Sequence, residues 1–139
     1  IGEEDQAVGS DRIEIFMRNK DLNKDYYSLE LDAKARIFDS KATFDKRYGI
    51  DREWDWPKGQ LELKSTFTDN GYIVEGRISM SSLKELDLFD GDILYAGLYR
   101  GNYNSNEGEK PSIEWISWVK PEKLSFHIPS SFGVLKFVK

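Results

Sequence analysis

Apolar residues recur at every second position over much of this chain. From Asp11 the run Asp-Arg-Ile-Glu-Ile-Phe-Met-Arg places Ile13, Ile15 and Met17 on one face and Arg12, Glu14, Phe16 and Arg18 on the other, which predicts a strand with a mixed outer face. After a polar, turn-rich stretch, Tyr26 to Leu31 alternates again and pairs with it as a hairpin with a longer loop. A third strand is predicted around Ala35 to Phe38. Residues 41–58 lack periodicity and contain Trp54-Asp55-Trp56-Pro57, which reads as a long surface loop because Pro57 cannot donate to a ladder. Leu61 to Thr68 and Tyr72 to Ile78 flank Asp69-Asn70-Gly71, a hairpin signal. Met80, Leu83 and Leu86 then fall at helical spacing with Ser81 or Ser82 as cap, so Ser79 to Leu88 holds one short helix. Strands resume at Ile93 to Arg100 and Ile113 to Val119, on either side of a polar loop from Gly101 to Pro111, and end at Val134 to Val138. The fold class that follows is all-β, an antiparallel β-sandwich of jelly-roll type with one short helix.

Composition narrows what such a sandwich does. The 139 residues suit one domain spanning 1–139. A net charge of −5 with no basic arm argues against nucleic acid as a partner. No apolar run approaches the roughly 18 residues of a membrane span, so no membrane insertion is expected. The absence of Cys removes disulfides, thiolate metal sites and a cysteine nucleophile. The chain opens on Ile1 rather than Met, which reads as a piece of a longer protein with any targeting segment upstream.

Motifs for covalent or nucleotide chemistry are missing: the sequence holds no Gly-x-Ser-x-Gly, no Gly-x-Gly-x-x-Gly and no phosphate loop. A single histidine, His127, cannot build a multi-histidine zinc site, but it can hydrogen-bond a sugar. Glu14 with Glu30, or Asp51 with Asp55, could be drawn as a glycosidase acid and base, although separation decides that mechanism. Glu3-Glu4-Asp5, Asp39 and Asp45 offer oxygen ligands to calcium as a structural ion, without a twelve-residue loop pattern. Aromatic residues make up 14% of the chain. Trp115 and Trp118 lie three apart in a predicted strand and therefore face opposite ways. A flat ring matches the C–H face of a pyranose, and neighbouring carboxylate, amide and guanidinium groups can bond its hydroxyls; Glu14, Arg100, Asn102, Trp115 and Trp118 supply that mixture.

Five segments in order, Asp-Arg-Ile-Glu-Ile-Phe (11–16), Tyr-Tyr-Ser-Leu-Glu-Leu (26–31), Gly-Tyr-Ile-Val-Glu-Gly-Arg-Ile-Ser (71–79), Ile-Ser-Trp (116–118) and Phe-His-Ile-Pro-Ser-Ser-Phe-Gly (126–133), resemble family 9 carbohydrate-binding modules. The resemblance runs from about Asp11 to the C-terminus. It implies a non-catalytic sandwich that binds polysaccharide or oligosaccharide, of a type found in secreted or periplasmic bacterial proteins and attached to xylanases or other glycoside hydrolases. It further implies a polysaccharide such as xylan as partner, with a glycoside hydrolase domain in the same parent chain. In the family two Trp rings clamp a terminal sugar. The downstream ring matches Phe126 in Ser125-Phe126-His127, and the upstream one belongs to N-terminal strands that this chain lacks. Glu14 matches the family's strand glutamate.

The expected ligand-binding residues are thus Phe126, His127, Glu14, Arg100 and Trp115, with Trp118 packing inward. No catalytic residue is assigned, and no cofactor beyond the calcium already considered. Three other readings stay open. One is a haem-binding redox or sensor domain of similar sandwich fold, with His127 and Met17 or Met80 as axial ligands. The others are a glycoside hydrolase domain and a structural spacer whose sugar site has decayed.

Overall fold

A computed structural model describes residues 3–43, 49–104, 110 and 112–138. Helix α1 (Glu3–Val8) leads into strands β1 (Arg12–Arg18), β2 (Tyr26–Asp32), β3 (Ile37–Ala42) and the short β4 (Ile50–Asp51). The hairpin β5 (Leu61–Thr68) and β6 (Gly71–Ile78) follows, then helix α2 (Met80–Glu85), β7 (Phe89–Asp90), the long β8 (Ile93–Asn104) and β9 (Ser112–Ser117). A 3₁₀ turn at Pro129–Ser131 precedes β10 (Gly133–Lys136). All pairings are antiparallel. The large sheet runs β10-β8-β1-β2-β3-β4, with β7 and β9 also on β8, and the β5–β6 hairpin forms the second layer. The all-β antiparallel sandwich read from the periodicity is the observed architecture, with a second short helix, α1, that the strand pattern did not disclose.

The hairpin covers one face of the large sheet. Leu61, Leu63 and Ile78 pack onto a buried cluster containing Met17, Leu29, Leu31, Leu94 and Ala96, and Leu83 and Leu88 close it from the α2 side. Ser79 caps α2 by accepting the Ser82 N–H at 3.0 Å, two or three residues ahead of the serines expected to do so. The opposite face holds a second cluster, Phe16, Tyr26, Ala42, Tyr99 and Phe132. β1 lies between β2 and β8, so both its edges are paired, and its two faces lie against the two clusters. The residues expected on a mixed outer face, Arg12, Glu14, Phe16 and Arg18, are all buried.

Several features differ from the sequence reading. β3 begins later than Ala35 because the Asp32 carboxylate collects the N–H groups of Lys34 and Arg36, holding a tight turn in which Ala35 takes φ +59°. β8 continues through Gly101 to Asn104, where β9 supplies a partner for each residue from Tyr99 onward. Within 41–58, taken as a surface loop, Trp56 is only 5% exposed and joins the Met17–Leu29 cluster. Its backbone N–H donates to Asp39, and its ring meets Trp54 edge-on at 5.9 Å. An irregular segment shows no period, so periodicity could not disclose that its indole is core.

Candidate functional site

The second sheet face carries a cavity of about 710 Å³, within the range of roughly 300–1,000 Å³ usual for small-ligand sites. Strand register builds its floor. Glu30 of β2 sits directly opposite Glu14 of β1, which pairs with Tyr99 of β8, which pairs with Ser117 of β9. One row along, Arg12 pairs with Gly101, and Gly101 with Trp115. Alternation sends all these side chains to one face. Gly101 matters for close approach: a Cβ there would come within 3.1 Å of the Trp115 ring.

Arg12, Glu14 and Glu30 form a charged group inside the protein, at 5%, 3% and 6% exposure. The Arg12 guanidinium lies 2.8 Å from Glu14 and 2.6 Å from Glu30. The contact to Glu30 is close but out of hydrogen-bond alignment, leaving Arg12 Nε and Glu30 Oε2 without a hydrogen-bond partner among the described residues. Arg12 also donates to the Val8 carbonyl and lies 5.3 Å from the Trp115 ring centroid. Burial first, and the neighbouring Glu30 second, push the Glu14 carboxyl up to about 7 against the opposing pull of Arg12. Burial likewise raises Glu30, with Arg12 partly offsetting it. Burial alone would lower Arg12, but Glu30 and Glu14 outweigh it and hold the guanidinium above its ordinary value.

Aromatic rings and a loop make the walls. Phe126 stacks on Tyr99 at 4.0 Å with an 11° interplanar angle and meets Trp115 edge-on at 5.2 Å. The His127 ring lies 4.9 Å from Phe16, and its Nδ1 is 3.0 Å from the Tyr26 hydroxyl. His127 keeps much of its surface open, yet desolvation by these neighbours lowers its pKa. Residues 120–127 supply one side, and Phe38, Ile50 and Arg52 the other. Arg52 sits 4.6 Å over the Phe38 ring.

Of the residues singled out from sequence, Glu14, Trp115, Phe126 and His127 meet at this cavity. Arg100 does not. It alternates to the hairpin side of β8 and pairs with Asp11 at 3.1 Å and Asn102 at 3.3 Å. Trp118, expected to pack inward, is 49% exposed, with its ring laid against Gly133 just past the end of β9. Glu30, drawn from the sequence only as a carboxylate partner of Glu14, lines the cavity too, and Arg12, Phe38 and Arg52 are additions. The available signal was two charges at alternate positions of one strand, Arg12 and Glu14, facing a third, Glu30, on the next.

The rival chemistries fare differently. Met17 belongs to the cluster on the opposite sheet face from His127, and Met80 is exposed at the start of α2, so the structure does not bring the nominal haem ligands together. Asp51 accepts the Glu53 N–H at an exposed turn. The calcium expectation falls partly on Asp45 and the side chains of Glu3, Glu4 and Asp5, which lie outside the described residues. Among the described residues no three His, Asp or Glu side chains are grouped to share an ion.

The cavity is of ligand size, and its aromatic walls and charged floor can bury one face of a ring-shaped ligand while hydrogen-bonding its polar edge. The chain belongs to the carbohydrate family 9 binding domain-like family, whose model matches residues 3–139. Among solved structures it is similar to a Bacteroides uniformis ATCC 8492 protein designated a candidate carbohydrate-binding protein, with a TM-score of 0.61 and 17% identity over 92% of this chain. At that identity the likeness shows the fold. The chain spans 61% of the length of that protein's chain. No curated protein matches it.

Proposed function

We propose that this chain is a non-catalytic carbohydrate-recognition module. The observation that carries the reading is the meeting, in one cavity, of the half-exposed Trp115 ring and the partly buried Phe126 ring with the buried carboxylates of Glu14 and Glu30. A pyranose laid along the aromatic wall buries its C–H face there, while its hydroxyls donate to the carboxylates. Arg12 holds both carboxylates in place and lowers the cost of keeping them in a desolvated floor. Polar groups on the floor and loop face the aromatic wall, so selectivity comes from the placement of hydroxyls rather than from contact area.

Family membership supports the wider setting: a module of a larger secreted or periplasmic protein acting in polysaccharide catabolism, with xylan or a related β-linked glycan as ligand and a glycoside hydrolase domain in the parent chain. Arg12 ties both floor carboxylates into ion pairs, which favours binding over acid–base chemistry. Calorimetry with xylo-, cello- and manno-oligosaccharides is expected to give dissociation constants of roughly micromolar to millimolar order for at least one. The pure protein is expected to release no reducing sugar from the glycan it binds. Silence from all three series, or sugar release abolished by Glu14→Gln, contradicts the proposal.

A further inference from the structure

The cavity floor sets two carboxylates around one shared guanidinium. Glu14 and Glu30 stand directly opposite each other on neighbouring strands, and both line the cavity, a placement in which like charges repel. Both are more than nine-tenths buried, and Arg12 reaches them at 2.8 and 2.6 Å. The two are not equivalent. Arg52 acts on Glu30 as a second cation, whereas the cation that acts on Glu14 is Arg12.

The other groups around Glu14 leave that imbalance in place. Tyr99, its partner on β8, is a phenol whose neutral form burial favours, raised to about 12. Asp32, opposite Arg12 on β2, is paired with Arg36, and the Tyr103 hydroxyl and the Val8 carbonyl accept from Arg12. On the loop, desolvation favours the neutral ring of His127, which bonds Tyr26, and Lys120, Glu122 and Lys123 are exposed at the mouth. The free site therefore retains a proton, and Glu14, set against Glu30 with a share of one guanidinium, is the carboxyl that holds it. Burial and Glu30 place its titration at about 7.

A saccharide hydroxyl changes this balance, because a hydrogen bond to an ionised carboxylate is roughly twice as strong as one to a neutral group. We propose, resting on the carbohydrate reading above, that saccharide binding expels the proton of the Glu14 carboxyl to solvent, so that the site binds more tightly as pH rises from mildly acidic to mildly alkaline. The hydroxyl donates to the oxygen that the proton leaves, and Arg12 stays paired with both carboxylates.

The test is calorimetric titration of the whole chain with whichever of the xylo-, cello- or manno-oligosaccharides it binds, from pH 6 to 8, in paired buffers of low and high ionisation enthalpy. The expected result is an affinity that rises about fivefold to tenfold across the range, with roughly half to one proton released per saccharide near pH 6.5. Carbon NMR of the side-chain carboxyls reads the same event directly: the Glu14 resonance should titrate at about 7 in the free protein and well below that in the saturated one. Glu14→Gln assigns that resonance and should exchange no proton on binding, whereas His127→Gln should still release one. Affinity level with pH and no proton exchanged, or a proton taken up, overturns the linkage and leaves the carbohydrate reading standing. Release that survives Glu14→Gln and vanishes in His127→Gln overturns it too, by moving the proton to the loop. Absence of binding at every pH overturns both.

Discussion

Glu14 concentrates the energetics of the site in one residue. Its carboxyl titrates near 7 instead of 4.5 because folding strips its water and sets Glu30 across from it, with Arg12 opposing both effects. Between those two pH values the unfolded chain has released the proton and the folded chain still holds it. Stability therefore falls as pH rises through that window, by an amount of order 3 kcal/mol for a shift of this size. Glu14→Gln, which keeps the shape and removes that titration, should reduce the dependence: melting temperatures measured from pH 5 to 8 should drop less steeply for the variant than for the unsubstituted protein, with Glu30 and His127 still titrating. Equal slopes would show that Glu14 is solvated. A second residue-scale prediction concerns Gly97, whose missing Cβ would lie 2.3 Å from the Tyr99 hydroxyl and 2.4 Å from its ring. Gly97→Ala must displace the ring on which Phe126 stacks. It should cost about 1–3 kcal/mol by overpacking and weaken saccharide binding together, and retained affinity would dissociate the Tyr99–Phe126 stack from the site.

At the scale of elements, burial separates tryptophans that look alike in the sequence. Trp56→Ala should lose about 3–5 kcal/mol, since it opens a cavity in the cluster around Met17 and Leu29, whereas Trp118→Ala should change stability by less than about 1 kcal/mol from its half-open position. Chemical denaturation of the two variants checks this, and a reversed order would relocate the core. Strand periodicity revealed β1, β2, the β5–β6 hairpin and α2 because each presents a repeating apolar stripe or a turn with its own chemistry. It did not reveal that β1 is covered on both faces: Arg12 and Glu14 look like solvated charge until a neighbouring strand places Glu30 against them. Nor did it place Trp56, held by an Asp39 contact 17 residues back in the chain. The side of the sheet on which Arg100 falls follows from alternation with Gly101 in a strand longer than its apolar run. Long-range pairing decides these features, and local pattern carries no information about it.

For the whole molecule, the two sheet faces divide the labour. The hairpin face supplies most of the aliphatic core, and the opposite face keeps a polar floor that would be costly to bury without function, two carboxylates against one guanidinium being an arrangement that hydrophobic packing of the same volume would match or exceed in stability. That cost supports the proposal that ligand binding lies on this face. The direct test compares the two half-exposed tryptophans. Trp115, 50% exposed, stands in the cavity beside Arg12, and Trp118, 49% exposed, stands outside it. Calorimetric titration of an oligosaccharide that the unsubstituted protein binds should show Trp115→Ala weakened on the order of tenfold or more, as loss of one stacked ring predicts, with Trp118→Ala binding as before. Loss of binding in Trp118→Ala with Trp115→Ala unaffected would contradict the account and move the site off the Arg12–Glu14–Glu30 face.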